Sequence, residues 1–162
     1  MSISPLSLVP PDAPMTVVGT ELSVLAESRL GCVDVTDQVR DVVLKSGVTE
    51  GCCIVYCSHT TCAVLINEWE DGALEDLRRH LDSFCPPDAY YAHDDMARRT
   101  QNLQPDERAN GHSHLAQMLM GATSQTLPVT RGEPWLGRWQ RIFLVELDEP
   151  KDRSLYVQVM GI

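Results

Sequence analysis

The feature that most restricts the fold is a set of short apolar runs rich in β-branched residues, at 51–58, 62–66, 125–129, 141–146 and 155–160. Runs of this length, bounded by turn residues, read as strands. Residues 15–26 alternate in part, through Val18, Leu22 and Val24, and add another. The order of these runs is not the regular strand–helix alternation of a wound parallel sheet. The expected fold is therefore α+β: an antiparallel-rich sheet or sandwich with two or three helices in a single domain. A chain of 162 residues is long enough for one substantial core.

The helices are fewer and each has a local signature. Thr36 is a good N-cap for a helix over 37–45, with Val39, Val42 and Val43 as its apolar face and Gly47 as its stop. Asn67 and Glu70 have capping-box spacing, followed by Leu74, Leu77, Leu81 and Phe84 on one face; Pro86-Pro87 ends that helix. Asn110 can cap a third helix, with Leu115, Met118 and Leu119 facing inward and Gly121 as the stop. The segment 90–109 is polar, aperiodic and long for a loop, and long loops often carry function. Residues 130–137 read as a turn between strands.

Residues 1–14 hold Pro5, Pro10, Pro11 and Pro14 and no basic cluster, which predicts a flexible lead-in rather than a signal peptide, ahead of a domain over 15–162. No apolar run approaches the roughly 18 residues of a membrane helix, so no membrane partner is expected. A cytoplasmic setting follows as the expectation, with the six cysteines reduced. The net charge of −10 argues against nucleic acid, which is bound through clustered Lys and Arg. The charge is uneven. Residues 1–91 carry five basic and fourteen acidic side chains, for −9, and residues 92–162 carry eight and nine, for −1. Six arginines fall within 98–141, against Asp106, Glu107 and Glu133, and offer a local place for a small anion such as a phosphate ester.

No glycine-rich phosphate loop, nucleophile elbow or paired CxxC is present. Cys52, Cys53, Cys57 and Cys62 do not have zinc-site spacing and fall in strands expected to be buried, where a free cysteine acts as a small hydrophobe. The histidines are more informative. His80 lies among Arg78, Arg79 and Asp82 on the polar side of a helix. His59, His93 and His114 each stand at the end of an element, where a rigid frame can present a side chain to a shared cleft. Three neutral imidazoles would suit a divalent metal with an open position, with Asp94 or Asp95 orienting one ring. Spacing alone leaves open that these are structural histidines. His112 and His114, two apart, point about 200° from each other if both are helical. On this reading His114 leans toward the core and His112 points elsewhere. Glu68 is either a first-turn carboxylate or a proton-transfer group beside His59.

Several segments in one order resemble the YjbQ family, also called the secondary thiamine-phosphate synthase group. They are His59-Thr60-Thr61 followed by Asn67-Glu68; Tyr91-Ala92-His93-Asp94; His114-Leu115 with Met118 to Gly121; Leu127-Pro128-Val129 followed by Gly132, Gly137 and Trp139-Gln140; and Arg153 with Val157-Gln158 and Gly161. The chain departs from the family's pattern at Trp69, Glu70, Arg138 and Arg141. The resemblance implies a compact α+β homotrimer and a site lined by His59, His93 and His114 that holds a divalent metal, such as zinc, or an anion. It implies a secondary thiamine-phosphate synthase activity, in which a pyrimidine methyl diphosphate joins a thiazole phosphate and pyrophosphate leaves. His59, Glu68 and Asp94 are the catalytic candidates under this reading, and the partner is a phosphorylated small molecule. Three other readings remain open: a non-catalytic metal or small-anion binder, a metal-dependent phosphate-ester hydrolase, and histidines that merely pack a trimer interface.

Overall fold

The structure is a computed structural model and describes residues 12–162. Most of the expected lead-in over 1–14 lies outside the described residues. The elements in chain order are β1 (Thr16–Ala26), β2 (Cys32–Asp34), α1 (Thr36–Ser46), β3 (Glu50–Cys57), β4 (Cys62–Glu68), α2 (Asp71–Phe84), α3 (Gly111–Met120), β5 (Ser124–Thr130), β6 (Glu133–Pro134), β7 (Gln140–Glu146) and β8 (Lys151–Gly161). They form a five-stranded sheet in the order β1-β8-β3-β5-β6 and a three-stranded sheet in the order β2-β7-β4. Every pairing is antiparallel, so the α+β, antiparallel expectation holds.

Two apolar layers fix the arrangement. Between the sheets, Val55, Leu155, Val157 and Val159 from the large sheet meet Val64, Ile142 and Leu144 from the small one, with Val39, Val42 and Val43 of α1 closing the layer. On the other face of the small sheet, Ala63, Leu65, Phe143 and Val145 pack against Leu74, Leu77 and Leu81 of α2 and Ala116 of α3. The small sheet is thus apolar on both faces, which is why its strands read as continuous apolar runs rather than as alternation. The outer face of the large sheet is uncovered among the described residues and shows Val17, Tyr56 and Tyr156.

Three local expectations are corrected, and the turn expected over 130–137 is present with a short added strand. Asn67 does not cap a helix: β4 runs on through Glu68, with Asn67 opposite Arg141 and Glu68 opposite Gln140. Because the ladder with β7 satisfies that backbone, the helix starts later, and the Glu70 carboxylate caps it by accepting from Gly72 and Ala73 N–H at 2.9 Å each. Thr36 lies inside α1 rather than before it; the N-cap is Val35, whose side chain cannot cap, and Asp34 just before it accepts the Thr36 N–H at 2.8 Å. The stretch 130–137 contains a tight hairpin into β6, in which Arg131 and Gly132 both have positive φ, 54° and 76°. Leu115, Met118 and Leu119 of α3 do not face inward; they are 38%, 71% and 65% exposed. The buried face of α3 is Gly111, His112, Ser113 and Ala116.

Candidate functional site

Three connections converge at one end of the small sheet: the 58–61 loop between β3 and β4, the β7–β8 turn, and the start of α3. Leu147 N–H donates to the Thr61 carbonyl at 3.0 Å, and the Ser113 hydroxyl donates to the Leu147 carbonyl at 2.8 Å. Beneath them lies a buried ion pair. Arg153 donates from Nε and Nη2 to the two oxygens of Glu146, at 2.6 and 2.7 Å, and from Nη2 to Thr61 Oγ1 at 3.0 Å. Glu146 also accepts the Asp148 N–H at 2.8 Å and the Cys62 thiol at 3.4 Å. Every oxygen of this fully buried carboxylate is satisfied, as a buried charge requires.

The long segment between α2 and α3 is fastened to this end by Asp94. Its carboxylate accepts from the N–H groups of Asn110, at 3.0 Å, and Gly111, at 2.9 Å, and so caps α3 from outside the helix. The Asn110 side chain, expected to be the cap, makes no capping bond. The approach is close. A Cβ on Gly111 would stand 2.5 Å from Tyr91 Cβ, so only glycine fits there. Arg99 pins the rest of the loop, pairing with Glu107 and donating to the carbonyls of His93, Gln101 and Asn102.

This frame sets two histidines side by side. The rings of His93 and His114 lie with centroids 4.4 Å apart. His93 Nδ1 is 3.0 Å from Asp94 Oδ1. Burial alone would raise the Asp94 carboxyl, but the bonds from His93, Gly111 and Asn110 outweigh it and hold the group below its ordinary value. The carboxylate is therefore an acceptor, which assigns the proton to Nδ1 and leaves the Nε2 lone pair of His93 open. The nearest acidic oxygen to Nε2 is on Glu107, at 4.0 Å. His114 is held below the ordinary histidine value first by burial and then by the neighbouring His93. Beside the pair opens a cleft of about 510 Å³ lined by His93, Arg98, Arg99, Thr100, Gln101 and Asn102, with no carboxylate in its wall. Arg98 is exposed and donates to Tyr90 Oη at 3.0 Å.

His59 stands apart from this pair. Its Nε2 accepts the Ser154 N–H at 3.1 Å, finishing the β8 backbone where β3 has ended. Burial, then Arg153, lowers its basicity. Among the described residues no group of three or more His, Cys, Asp and Glu side chains is arranged to hold a metal ion. The donors of one chain thus do not fit the three-histidine metal centre that the resemblance implies. Glu68 is farther away still. It closes β4 at the end opposite Cys62, and six residue steps of strand put it about 20 Å from the His59 end. There it lines a second cleft, of about 580 Å³, with Asp34, Trp69, Glu70, Arg138, Trp139 and Arg141.

His112, expected to point away from the core, is the buried histidine of the two, and His114 faces the loop; they diverge as helical geometry requires, with the directions exchanged. Glu146 and Asp148, which sequence reasoning did not single out, organise the floor of the site. The available signal was an acidic side chain interrupting an apolar strand run.

The match to known proteins covers nearly the whole chain. The sequence profile described as "UPF0047 protein YjbQ-like" matches residues 20–162. The chain belongs to the YjbQ-like UPF0047 family. A UPF0047 protein of Methanothermobacter thermautotrophicus is 37% identical over 147 residues, covering 91% of this chain and 94% of that protein. The UPF0047 protein YugU of Bacillus subtilis is 30% identical, covering 86% and 97%. Among solved structures, a YbjQ-like protein of unknown function from Sulfolobus solfataricus P2 superposes with a TM-score of 0.81 at 33% identity, over 92% of this chain and all of that one. The YjbQ-like family thus accounts for both the single-domain fold and the order of the motifs. No helix among the described residues is long and apolar enough to cross a membrane.

Proposed function

We propose that the protein acts on a phosphorylated small molecule in the cleft lined by His93, Arg98 and Arg99, beside the His93–His114 pair, as a thiamine-phosphate-synthase-like transferase. The observation that carries this reading is the Asp94–His93 pair, which leaves His93 Nε2 open beside Arg98. An oriented imidazole next to an uncompensated guanidinium suits a group that develops negative charge as it leaves. In the reaction, the thiazole nitrogen forms a bond to the pyrimidine methylene carbon while the carbon–oxygen bond to the diphosphate breaks, and pyrophosphate departs. Arg98 meets the departing charge. His93, when protonated at Nε2, donates a hydrogen bond to a diphosphate oxygen. Asp94 is a positioning residue: its oxygens are engaged by His93 and by the start of α3, so it holds the ring rather than moving a proton.

The same proposal includes self-association, a homotrimer as the family resemblance implies. The bare Leu115, Met118 and Leu119 of α3 support a covered surface beside the site.

The test is direct. Purified protein is incubated with the pyrimidine methyl diphosphate and the thiazole phosphate, and thiamine phosphate and pyrophosphate are measured beside His93→Ala. Product formation that falls at least about 100-fold in the variant, in the range of general acid–base contributions, supports the transferase. Binding of the diphosphate with no product from the parent protein would instead leave an anion-binding protein.

A further inference from the structure

Cys57 and Cys62 stand at the two ends of a short crossing between the sheets. Cys57 is the last residue of β3 in the large sheet and Cys62 the first of β4 in the small one, with Ser58, His59, Thr60 and Thr61 between them. Both side chains turn into the same inter-sheet layer, and neither is exposed at all. Their thiols are in hydrogen-bonding contact, and Cys62 donates to Glu146 Oε2 at 3.4 Å. We propose that Cys57 and Cys62 form a reversible dithiol–disulfide couple, which staples the two sheets together beneath the 58–61 loop when the protein meets a small peroxide.

Three observations set this pair apart from cysteines that merely fill space. First, its surroundings are polar. Cys53 and Cys85 are also buried, yet neither makes a side-chain hydrogen bond among the described residues, and a free cysteine in that setting acts as a small hydrophobe. Second, the two sulfurs are already neighbours, so a small side-chain rotation brings them to bonding geometry. Third, the cover over them is thin. Ser58 and Thr60 are exposed, and the loop is held by His59 Nε2 accepting from Ser154 N–H at 3.1 Å and by Thr61, which accepts from Arg153 and from Leu147 N–H at 3.0 Å each. Parting these few bonds is a local opening that leaves both sheets paired, and it admits a molecule as small as hydrogen peroxide.

The chemistry balances with the peroxide as oxidant. Cys57, as the thiolate, attacks one peroxide oxygen; the O–O bond breaks, and the leaving hydroxide takes up the proton that Cys57 lost, giving a sulfenic acid and water. The Cys62 sulfur then attacks the Cys57 sulfur, the S–O bond breaks, and the thiol proton of Cys62 leaves with the hydroxide as a second water. The two sulfurs supply the two electrons that reduce the peroxide. Cys57 is the attacking residue because the proton of Cys62 is engaged by Glu146. The product closes a ring of six residues around the loop that carries His59 and Thr61, and it takes away the thiol proton that Glu146 accepts. Oxidation thus reaches the floor of the site. With the cysteines reduced at rest, such a disulfide is transient and reports oxidation rather than building the scaffold. The inference does not depend on what the His93 cleft binds.

The experiment maps the thiols of the full chain. Reduced protein, freed of reductant, is treated with hydrogen peroxide, unfolded in the presence of an alkylating agent and digested with trypsin. Residues 46–78 emerge as one peptide holding Cys52, Cys53, Cys57 and Cys62. The expected product is this peptide lighter by two hydrogens, alkylated only at Cys52 and Cys53, with no backbone fragment ions between residues 57 and 62. Dithiothreitol should return all four thiols. Cys57→Ala and Cys62→Ala should abolish the looped peptide and Cys52→Ala should leave it, with circular dichroism checking each fold; the mapping of the parent stands even where a variant fails to fold. Amide hydrogen exchange over 58–61 should slow about tenfold or more on oxidation, because the staple blocks the opening that exposes these groups. The inference is overturned if the partly exposed Cys32 and Cys52 are oxidised while Cys57 and Cys62 stay open to alkylation after unfolding. It is overturned equally if native protein gives the mixed pairings among the four cysteines that the chain gives in urea, or if exchange over 58–61 is unchanged by the disulfide.

Discussion

Arg153 and Glu146 form a two-pronged ion pair, at 2.6 and 2.7 Å, that links β8 of the large sheet to β7 of the small one in a region with almost no water access: the guanidinium is 6% exposed and the carboxylate not at all. The pair ties β8 to β7, Thr61 to both, and Asp148 to the turn above, and so sets the floor on which the histidines stand.

Breaking this pair from one side should be costly. Arg153→Leu leaves a buried carboxylate without its partner, and a loss of about 3–5 kcal/mol is expected in urea denaturation. The double change Arg153→Leu with Glu146→Leu should recover part of that loss, because neither charge is then stranded. A single variant as stable as the parent would show that the carboxylate finds water in solution.

Asp94→Ala removes the outside cap of α3 and the acceptor that fixes His93 in one tautomer. The expected stability loss is about 1–2 kcal/mol, the size of a lost N-cap. Product formation should fall further than stability does, and Asp94→Asn should recover the stability better than the activity. Parallel recovery of both would mean that Asp94 serves only to hold the loop.

Gly111→Ala tests the close approach of the loop to α3 without touching a charge. The added carbon meets the Tyr91 side chain at 2.5 Å and Asp94 Oδ2 at 3.0 Å. The loop must withdraw, at an expected cost of about 1–3 kcal/mol. Histidine resonances observed by NMR should shift for His93 and His114 and stay in place for His59, which is held by Ser154 instead.

The pH dependence follows from burial. His59, His112 and His114 all lie below the ordinary histidine value of 6.5, with burial the main cause in each. The unfolded chain therefore takes up protons first as pH falls. Their contribution to stability is full above about pH 6.5 and declines as pH falls through that value toward the folded-state ones. Asp34 and Asp94 lie below the ordinary 3.8 because hydrogen bonds to their carboxylates outweigh burial. Their contribution is present above that value and is lost as pH drops through the lower folded-state ones. Denaturation midpoints should thus fall in two steps, one starting near pH 6.5 and one below about 4. A midpoint constant from about pH 7 to 5 would contradict neutral, buried histidines in the fold.

What the sequence determined by itself was local or repeated along the chain. Period-two and continuous apolar runs marked β1, β3, β4, β5, β7 and β8, because strand burial is written into consecutive side chains. Gly47 and Gly121 were legible as helix stops, and both take the left-handed conformation. The order of motifs was enough to mark the family. The tertiary structure decided whatever depends on a partner distant in sequence. Asn67 reads as a helix cap until Arg141 is seen opposite it in the ladder. The apolar stripe Leu115, Met118 and Leu119 looks like a core face, but the interior accepts the smaller face of His112, Ser113 and Ala116, since the helix lies close on the small sheet. Most of all, sequence could nominate His59, Glu68, His93, Asp94 and His114 together, but not measure the distances among them. A strand rises about 3.3 Å per residue, so two motifs joined by one extended strand are necessarily held apart. Only the loop that Asp94 fastens brings two of the histidines into contact.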